Sequence, residues 1–516
     1  MESKSAEKYR SPMLARNTLL NLLGSILPLM AAVVAVPHLI RELGTERFGV
    51  LSLIWIVIGY FGLFDLGIGR ATTKLVAEQL AQRETEQLRV TAWTSLATLT
   101  SFGLLGGGAL ALLNPALVEH LLHIPLPLRG ETVAAFNILA LSIPLLLAST
   151  GARGILEAHR RFGIMNAIKI PVGVGTIVAP VVVLKFSHSL AHIAAALLLM
   201  RALDLMATFL ACRWALPAMG RPTRPQARSF VQLAGYGSWL TVSSVVGPLM
   251  TYLDRFIVGG LLTMSAVAYY STPYDVVTKQ LILPASLLGV IFPSLAGYAA
   301  VDHRRFAHLY QRSVAYLIAI MTPPAIMLLL FAEPALDFWL GGEFAAKSTA
   351  AVQLLALGIL LNGVAQAPYA AIQAWGRPDI TAKLHLAELP FYLILLWGSV
   401  TYLGITGAAL AWLIRAAADT IILLQICRRI LPGHAVHAAS IANLAVWCAL
   451  FLLSAWAGAG MLNGLLPKFV LLACCCSIHA LLCIRLIPRL SSGKDPGNEP
   501  GNIETECRAN EVVSHV

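Results

Sequence analysis

Long apolar runs recur along this chain from Leu14 to Leu486, each closed by a short polar segment. Eighteen apolar residues make ~27 Å of helix, nearly the hydrocarbon thickness of a bilayer. The pattern predicts fourteen spans, at about 14–38, 48–69, 90–113, 132–152, 163–185, 190–212, 233–260, 269–297, 311–332, 348–370, 381–403, 405–427, 438–458 and 465–487. No intervening segment exceeds about twenty residues, which leaves no room for a soluble catalytic domain on either side. The first run, Leu14 to Pro37, is long enough to span and lacks a small-residue cleavage site, so it reads as a span and not a signal peptide. The tail beyond Pro488 is rich in Gly, Pro, Asn and charge, and is predicted to be disordered. The chain therefore reads as an all-α polytopic membrane protein with about 14 transmembrane helices.

Composition agrees: of 516 residues, 58% are hydrophobic and only 12% charged, with mean hydropathy +0.75. The charges then set the orientation. With the N-terminus placed in the cytoplasm and residues at span ends counted with the adjoining loop, the inner segments hold 26 Lys and Arg, the outer loops six (Arg41, Arg47, Arg129, Lys185, Lys347 and Lys468), and five remain within spans. This bias predicts an even number of spans with both termini cytoplasmic. The net charge of +11 is spread over many short loops, which argues against nucleic acid as a partner. The eight cysteines (Cys212, Cys427, Cys448, Cys474, Cys475, Cys476, Cys483 and Cys507) show no CxxC and no Cys/His spacing for zinc, so no metal site is expected and they read as small apolar filler.

The chain also repeats itself. Residues 156–204 can be laid on 372–419, placing Ala158 on Ala374, Arg161 on Arg377 and Ile164 on Ile380; with small gaps, Arg201 falls on Arg415 and Asp204 on Asp419. Two pseudo-symmetric six-helix lobes in parallel orientation follow, with the last two spans outside the repeat. The expected organisation is a cytoplasmic segment 1–13, an N-lobe 14–213, a cytoplasmic linker 214–232, a C-lobe 233–430, two further helices in 438–487 and a cytoplasmic tail 488–516.

Charges at membrane depth are costly and usually serve a partner or a polar path. Lys279 lies about ten residues into the eighth span, with Asp275 one turn before it, a spacing that predicts a pair. Asp254 and Arg255 are adjacent, so they point about 100° apart and need separate partners. Asp65 lies in the second span, followed by Arg70 and Lys74 one turn apart at its cytoplasmic end. Arg201 with Asp204, and Arg415 with Asp419, form one-turn pairs at corresponding places in the two halves, read as ties within each lobe or as an ion-coupling network. Glu388 is a lone carboxylate, with Lys169 its rough counterpart in the other half. Prolines inside spans, Pro28, Pro248 and Pro284 among them, mark places where a helix can bend. Trp55, Trp93, Trp214, Trp239, Trp339 and Trp375 read as an interfacial belt.

Several stretches carry a resemblance: Asn17 with Pro28 and Pro37, RELGTERFGVLSL (41–53), FDLGIG (64–69), GILEAHRRFGIMNA (154–167), DRFIVGGL (254–261) with AVAYYS (266–271), AAIQAWGRPDI (370–380) and GITGAALAWLIR (404–415). In their order and spacing, over about residues 12–430, the chain resembles the polysaccharide transporter (O-antigen flippase) branch of the MOP superfamily, which also holds the MATE antiporters and the lipid II flippases. The resemblance implies a MATE-like fold whose lobes rock about a central cavity. It implies translocation of an undecaprenyl-pyrophosphate-linked oligosaccharide to the periplasmic leaflet of the bacterial inner membrane, for O-antigen, capsule or exopolysaccharide synthesis. It further implies no cofactor, a proton or sodium gradient as the drive, and polymerase and other polysaccharide-assembly proteins as partners. For such an amphipathic anion the substrate-binding candidates are Lys279, Arg255, Asp254, Asp275, Asp65, Arg70 and Lys74, while Arg201, Asp204, Arg415, Asp419 and Glu388 are the candidates for coupling or structural pairing. The alternatives are a MATE-type cation or drug antiporter, which would favour acidic cavity residues, and a membrane polysaccharide polymerase or ligase, against which the short, nearly uncharged outer loops speak.

Overall fold

A computed structural model describes residues 2–63, 67–159, 161–217, 222–235, 238–430, 438–462 and 464–486. The expected tail 488–516 and Asp65 lie outside them. The regular elements described are all helical. In order they are α1 (Glu2–Leu63), α2 (Ile68–Ala81), α3 (Thr85–Ala116), α4 (Leu126–Ala158), α5 (Phe162–Leu184), α6 (Leu190–Ala215), α7 (Ala227–Gly235), α8 (Ser238–Leu261), α9 (Met264–Val277), α10 (Ile282–Val301), α11 (His303–Leu340), α12 (Gly342–Ala374), α13 (Pro378–Ile430), α14 (Ala438–Met461) and α15 (Leu465–Leu486). The predicted spans fall on these helices. Among the described residues, eleven helical stretches are long and apolar enough to cross a membrane.

Two of the longest helices contain two spans each. α1 breaks at Gly44 (φ 76°, ψ 164°) and α13 at Gly404 (φ 60°, ψ −139°). Both conformations are open to glycine and strained for L side chains, so each residue ends one span and starts the next with no loop. The eighth span, in contrast, is not one α-helix. α9 gives way to a 3₁₀ turn over Thr278–Leu281 before α10 begins. Pro284, one turn on, has no N–H for the carbonyl of Gln280, which loosens the α-helical ladder at this point.

The chain divides into two compact units. The first holds Met1–Lys279, Ala332–Ile359 and Gly376–Ala418; the second holds Gln280–Phe331, Leu360–Trp375 and Asp419–Val516. In the first unit α4 is the central post, packed against α3 and α6. Glycines let α3 come close: a Cβ on Gly103 would lie 2.3 Å from the Cα of Pro144, and one on Gly107 would lie 2.4 Å from the Ala140 carbonyl oxygen. In a bilayer, where burial against lipid drives little, such close backbone packing is a main source of helix association.

Residues of the first and second halves of the sequence also meet within this unit, at the ends predicted to face outward. A Cβ on Gly49 would lie 1.9 Å from the Met264 carbonyl oxygen. The hydroxyls of Thr45 and Ser265 are 2.9 Å apart, His123 N–H donates to the Gly259 carbonyl at 2.9 Å, and the Trp339 indole donates to the Val33 carbonyl at 2.7 Å. In the second unit α15 packs on α11, where His479, 2% exposed, hydrogen-bonds through Nε2 to the Ala319 carbonyl at 3.0 Å.

Candidate functional site: a cationic intramembrane cavity

The first unit contains a cavity of about 460 Å³ walled by α1, α4, α5, α6, α8, α9 and the end of α11. Four cations line it, Arg153 of α4, Lys169 of α5, Arg201 of α6 and Lys279 of the 3₁₀ turn, against one carboxylate, Asp275. Trp55, Tyr252 and Trp339 add aromatic surface, and Ser52, Thr176 and Thr272 add hydroxyls.

The carboxylates nearby are already spoken for. Asp275 accepts from Nη2 of Arg255 at 2.8 Å, and Asp204 accepts from Nη2 of Arg153. Among the described residues no carboxylate lies within ion-pair distance of Lys169, Arg201 or Lys279. Three cations therefore face the cavity uncompensated by any carboxylate in contact. At membrane depth that arrangement calls for an anion or for water.

Behind the wall lies a buried polar cluster. Arg255 is 1% exposed, and its guanidinium stacks 4.1 Å from the Tyr274 ring centroid and 5.5 Å from that of Tyr252. Asp254 is fully buried, accepting from Tyr270 Oη at 2.7 Å and from the backbone N–H of Arg255 at 2.8 Å. Tyr274 packs edge-on against Trp412 at 6.0 Å, and Arg415 lies over the rings of Trp412 and Tyr392. Arg255 thus reaches the cavity only through Asp275, and Asp254 does not reach it. These two substrate-binding candidates are reassigned as supports.

Other expectations are corrected by the geometry. Asp275 does not pair with Lys279, since the change from α to 3₁₀ winding after Val277 alters the angular step and turns Lys279 off the Asp275 face. Asp204 does not take Arg201 as its salt-bridge partner. Its carboxylate faces α4 and meets Arg153, and Arg201 lines the cavity without an ion-pair contact to it. Arg70 is exposed on α2 and Lys74 bonds Glu78 at 3.6 Å; neither lines the cavity. Glu388 is part-buried on α13 in the first unit and lies off the cavity wall, while Asp419, 5% exposed, belongs to the second unit. Trp55 and Trp339, expected in the interfacial belt, both line the cavity.

Arg153 and Lys169 are cavity cations that sequence patterning underrated. Arg153 counts as a cytoplasmic anchor if the fourth span ends near residue 152, but α4 continues to Ala158 and holds it inside the helix. A partial signal did exist: Arg153 and Asp204 are opposite charges in or beside the fourth and sixth apolar runs, and each needs a partner, although their adjacency is decided only by the packing of α4 on α6.

Residues 39–348 match the family described as "Polysaccharide biosynthesis protein". A putative O-antigen transporter of Shigella flexneri is 31% identical over 408 residues, covering 79% of this chain and 96% of that protein. A probable low-salt glycan biosynthesis flippase of Haloferax volcanii is 24% identical over 206 residues, or 40% of this chain and 43% of that one. Two solved structures share the fold: an inward-facing MATE family multidrug transporter of the MOP superfamily (TM-score 0.67, 15% identity, 79% of this chain and 97% of that one) and a lipid II flippase in an inward closed conformation (TM-score 0.61, 15% identity, 91% and 98%).

Proposed function

The chain belongs to the polysaccharide biosynthesis protein family, and from that premise we propose that it is a flippase for a lipid-linked oligosaccharide, working by alternating access in the bacterial inner membrane. The observation that carries this reading is the trio Lys169, Arg201 and Lys279, which share one cavity with no carboxylate in contact. A diphosphate supplies the matching charge. Arg201 offers its planar fork to phosphate oxygens, and Lys169 and Lys279 act as point charges. Trp55, Tyr252 and Trp339 supply stacking faces for the sugars next to the diphosphate, and the cavity hydroxyls supply hydrogen bonds. The same charge balance disfavours an organic cation, which is the substrate class of the antiporter alternative.

The proposed orientation places both termini in the cytoplasm, from the Lys and Arg bias. The outer-end contacts of Gly49 with Met264 and Thr45 with Ser265 then make this the state closed to the periplasm. A proton or sodium gradient is the proposed drive, and polymerase and other polysaccharide-assembly proteins are the proposed partners, both carried over from the flippase reading.

The test is complementation of a flippase-deficient strain, with membrane insertion checked by blotting. Lys279→Ala and Arg201→Ala are expected to abolish surface polysaccharide, and Arg70→Ala to leave it intact. Full export by the double variant Lys279→Ala/Arg201→Ala would remove the cavity cations from the mechanism.

A further inference from the structure

The second unit has a cavity of its own, about 410 Å³, bounded by α11, α12, α13 and α14. It is independent of the cationic cavity and of the flippase reading. One wall of α14 presents Ala442, Ala445, Ala449 and Leu452, a single helix face at a 3-4-3 spacing. Small residues at such spacing ordinarily let helices close up. Here they border an open space faced by Val314, Ile318 and Val364 instead. The polar groups in the walls are used internally: Thr420 donates to the Leu361 carbonyl at 3.1 Å and Thr322 donates to Cys448 at 3.3 Å. An apolar space of this kind does not hold water well and is suited to a hydrocarbon chain.

One end is different. Arg428 lines the cavity where α13 ends, is exposed, and has no carboxylate within ion-pair distance among the described residues. From Ala442 to Leu452 the wall runs ~15 Å along α14, which is about half the ~30 Å hydrocarbon core. The slot is thus one leaflet deep, cationic at the headgroup end and greasy to the midplane. Basic pockets between membrane helices on the cytoplasmic side are suited to anionic headgroups.

We propose that this slot is a binding site for an anionic bilayer phospholipid, with the phosphate at Arg428 and one acyl chain lying between α14 and the helices opposite. The lipid fills the space that the alanines of α14 leave, and so holds α14 against α11, α12 and α13.

The test uses full-length protein purified in a neutral detergent and native mass spectrometry with added phosphatidylglycerol, phosphatidylcholine or undecaprenyl phosphate. One phosphatidylglycerol is expected to bind per chain in preference to phosphatidylcholine, and to raise the melting temperature. Arg428→Gln should weaken phosphatidylglycerol about ten-fold, the size of one charge-assisted hydrogen bond. Ala449→Trp, at a position exposed in the slot, should remove the bound lipid. Equal binding of phosphatidylcholine, or an unchanged phosphatidylglycerol affinity in both variants, overturns the proposal. Displacement of phosphatidylglycerol by stoichiometric undecaprenyl phosphate also overturns it, and assigns the slot to a prenyl chain.

Discussion

Arg255 and Asp275 form an ion pair of unequal halves: the guanidinium is 1% exposed and the carboxylate 56% exposed, joined at 2.8 Å. The arginine is held from behind by Tyr274 and Tyr252, so it fixes the carboxylate at the cavity wall and cancels its charge. Without that pairing Asp275 would compete with an anionic ligand for Lys279, one turn away.

The two halves are therefore expected to respond differently to mutation. Asp275→Asn removes the exposed half and leaves Arg255 with the buried carboxylate of Asp254 beside it, so it is expected to be the milder change, at about 1–3 kcal/mol. Arg255→Met leaves Asp254, which is fully buried beside it, without its cation, and is expected to cost about 3–5 kcal/mol. It should also impair export, because Asp275 is then an uncompensated anion in the cavity. Thermal unfolding of the purified protein and surface-polysaccharide assays read the two effects separately.

A double-mutant cycle distinguishes the partner of Asp204. Coupling between Arg153 and Asp204 is expected in the range of about 1–3 kcal/mol, and coupling between Arg201 and Asp204 well below it. Stability of the Arg153→Ala, Arg201→Ala and Asp204→Ala set, singly and in pairs, supplies the measurement. Stronger coupling of Asp204 to Arg201 than to Arg153 would place the carboxylate's partner on its own helix.

The contact between Thr45 and Ser265 offers a lock. Their hydroxyls are 2.9 Å apart, a geometry within reach of a disulfide. The Thr45→Cys/Ser265→Cys variant is expected to cross-link under oxidation, detected by mass spectrometry of the linked peptides. Export should stop while the bond is formed and return on reduction, as alternating access requires these ends to part.

Close packing of α3 on α4 predicts a steric effect. Gly103→Leu would drive a side chain into the backbone of Pro144 and should cost about 1–3 kcal/mol by overpacking. Gly108→Leu is the control, since a Cβ there meets nothing within 4 Å and stability should stay within about 0.5 kcal/mol.

The spans were legible because an apolar run of twenty or more residues has few other uses, and backbone satisfaction in lipid makes it helical. Gly404 even marked the join between two spans, since a glycine is what such a break demands. That charges inside spans serve a common site was legible in kind. Lys279, Arg201 and Lys169 share the cavity, yet they come from three helices, and nothing in their spacing along the chain shows that they converge.

The amino-acid sequence by itself determined the polytopic helical class, the place of the apolar runs and the scarcity of intramembrane charge. These follow from local hydropathy and composition, which need no knowledge of neighbours. Only the tertiary structure decided which charges are free. Asp204 chose Arg153, 51 residues away, over Arg201, three away, and Asp275 chose Arg255 over Lys279. Helix spacing sets which residues are near along a face, but the packing of one helix on another sets where a buried carboxylate points and which cation it can reach. The cationic character of the cavity is what remains after those pairings are made.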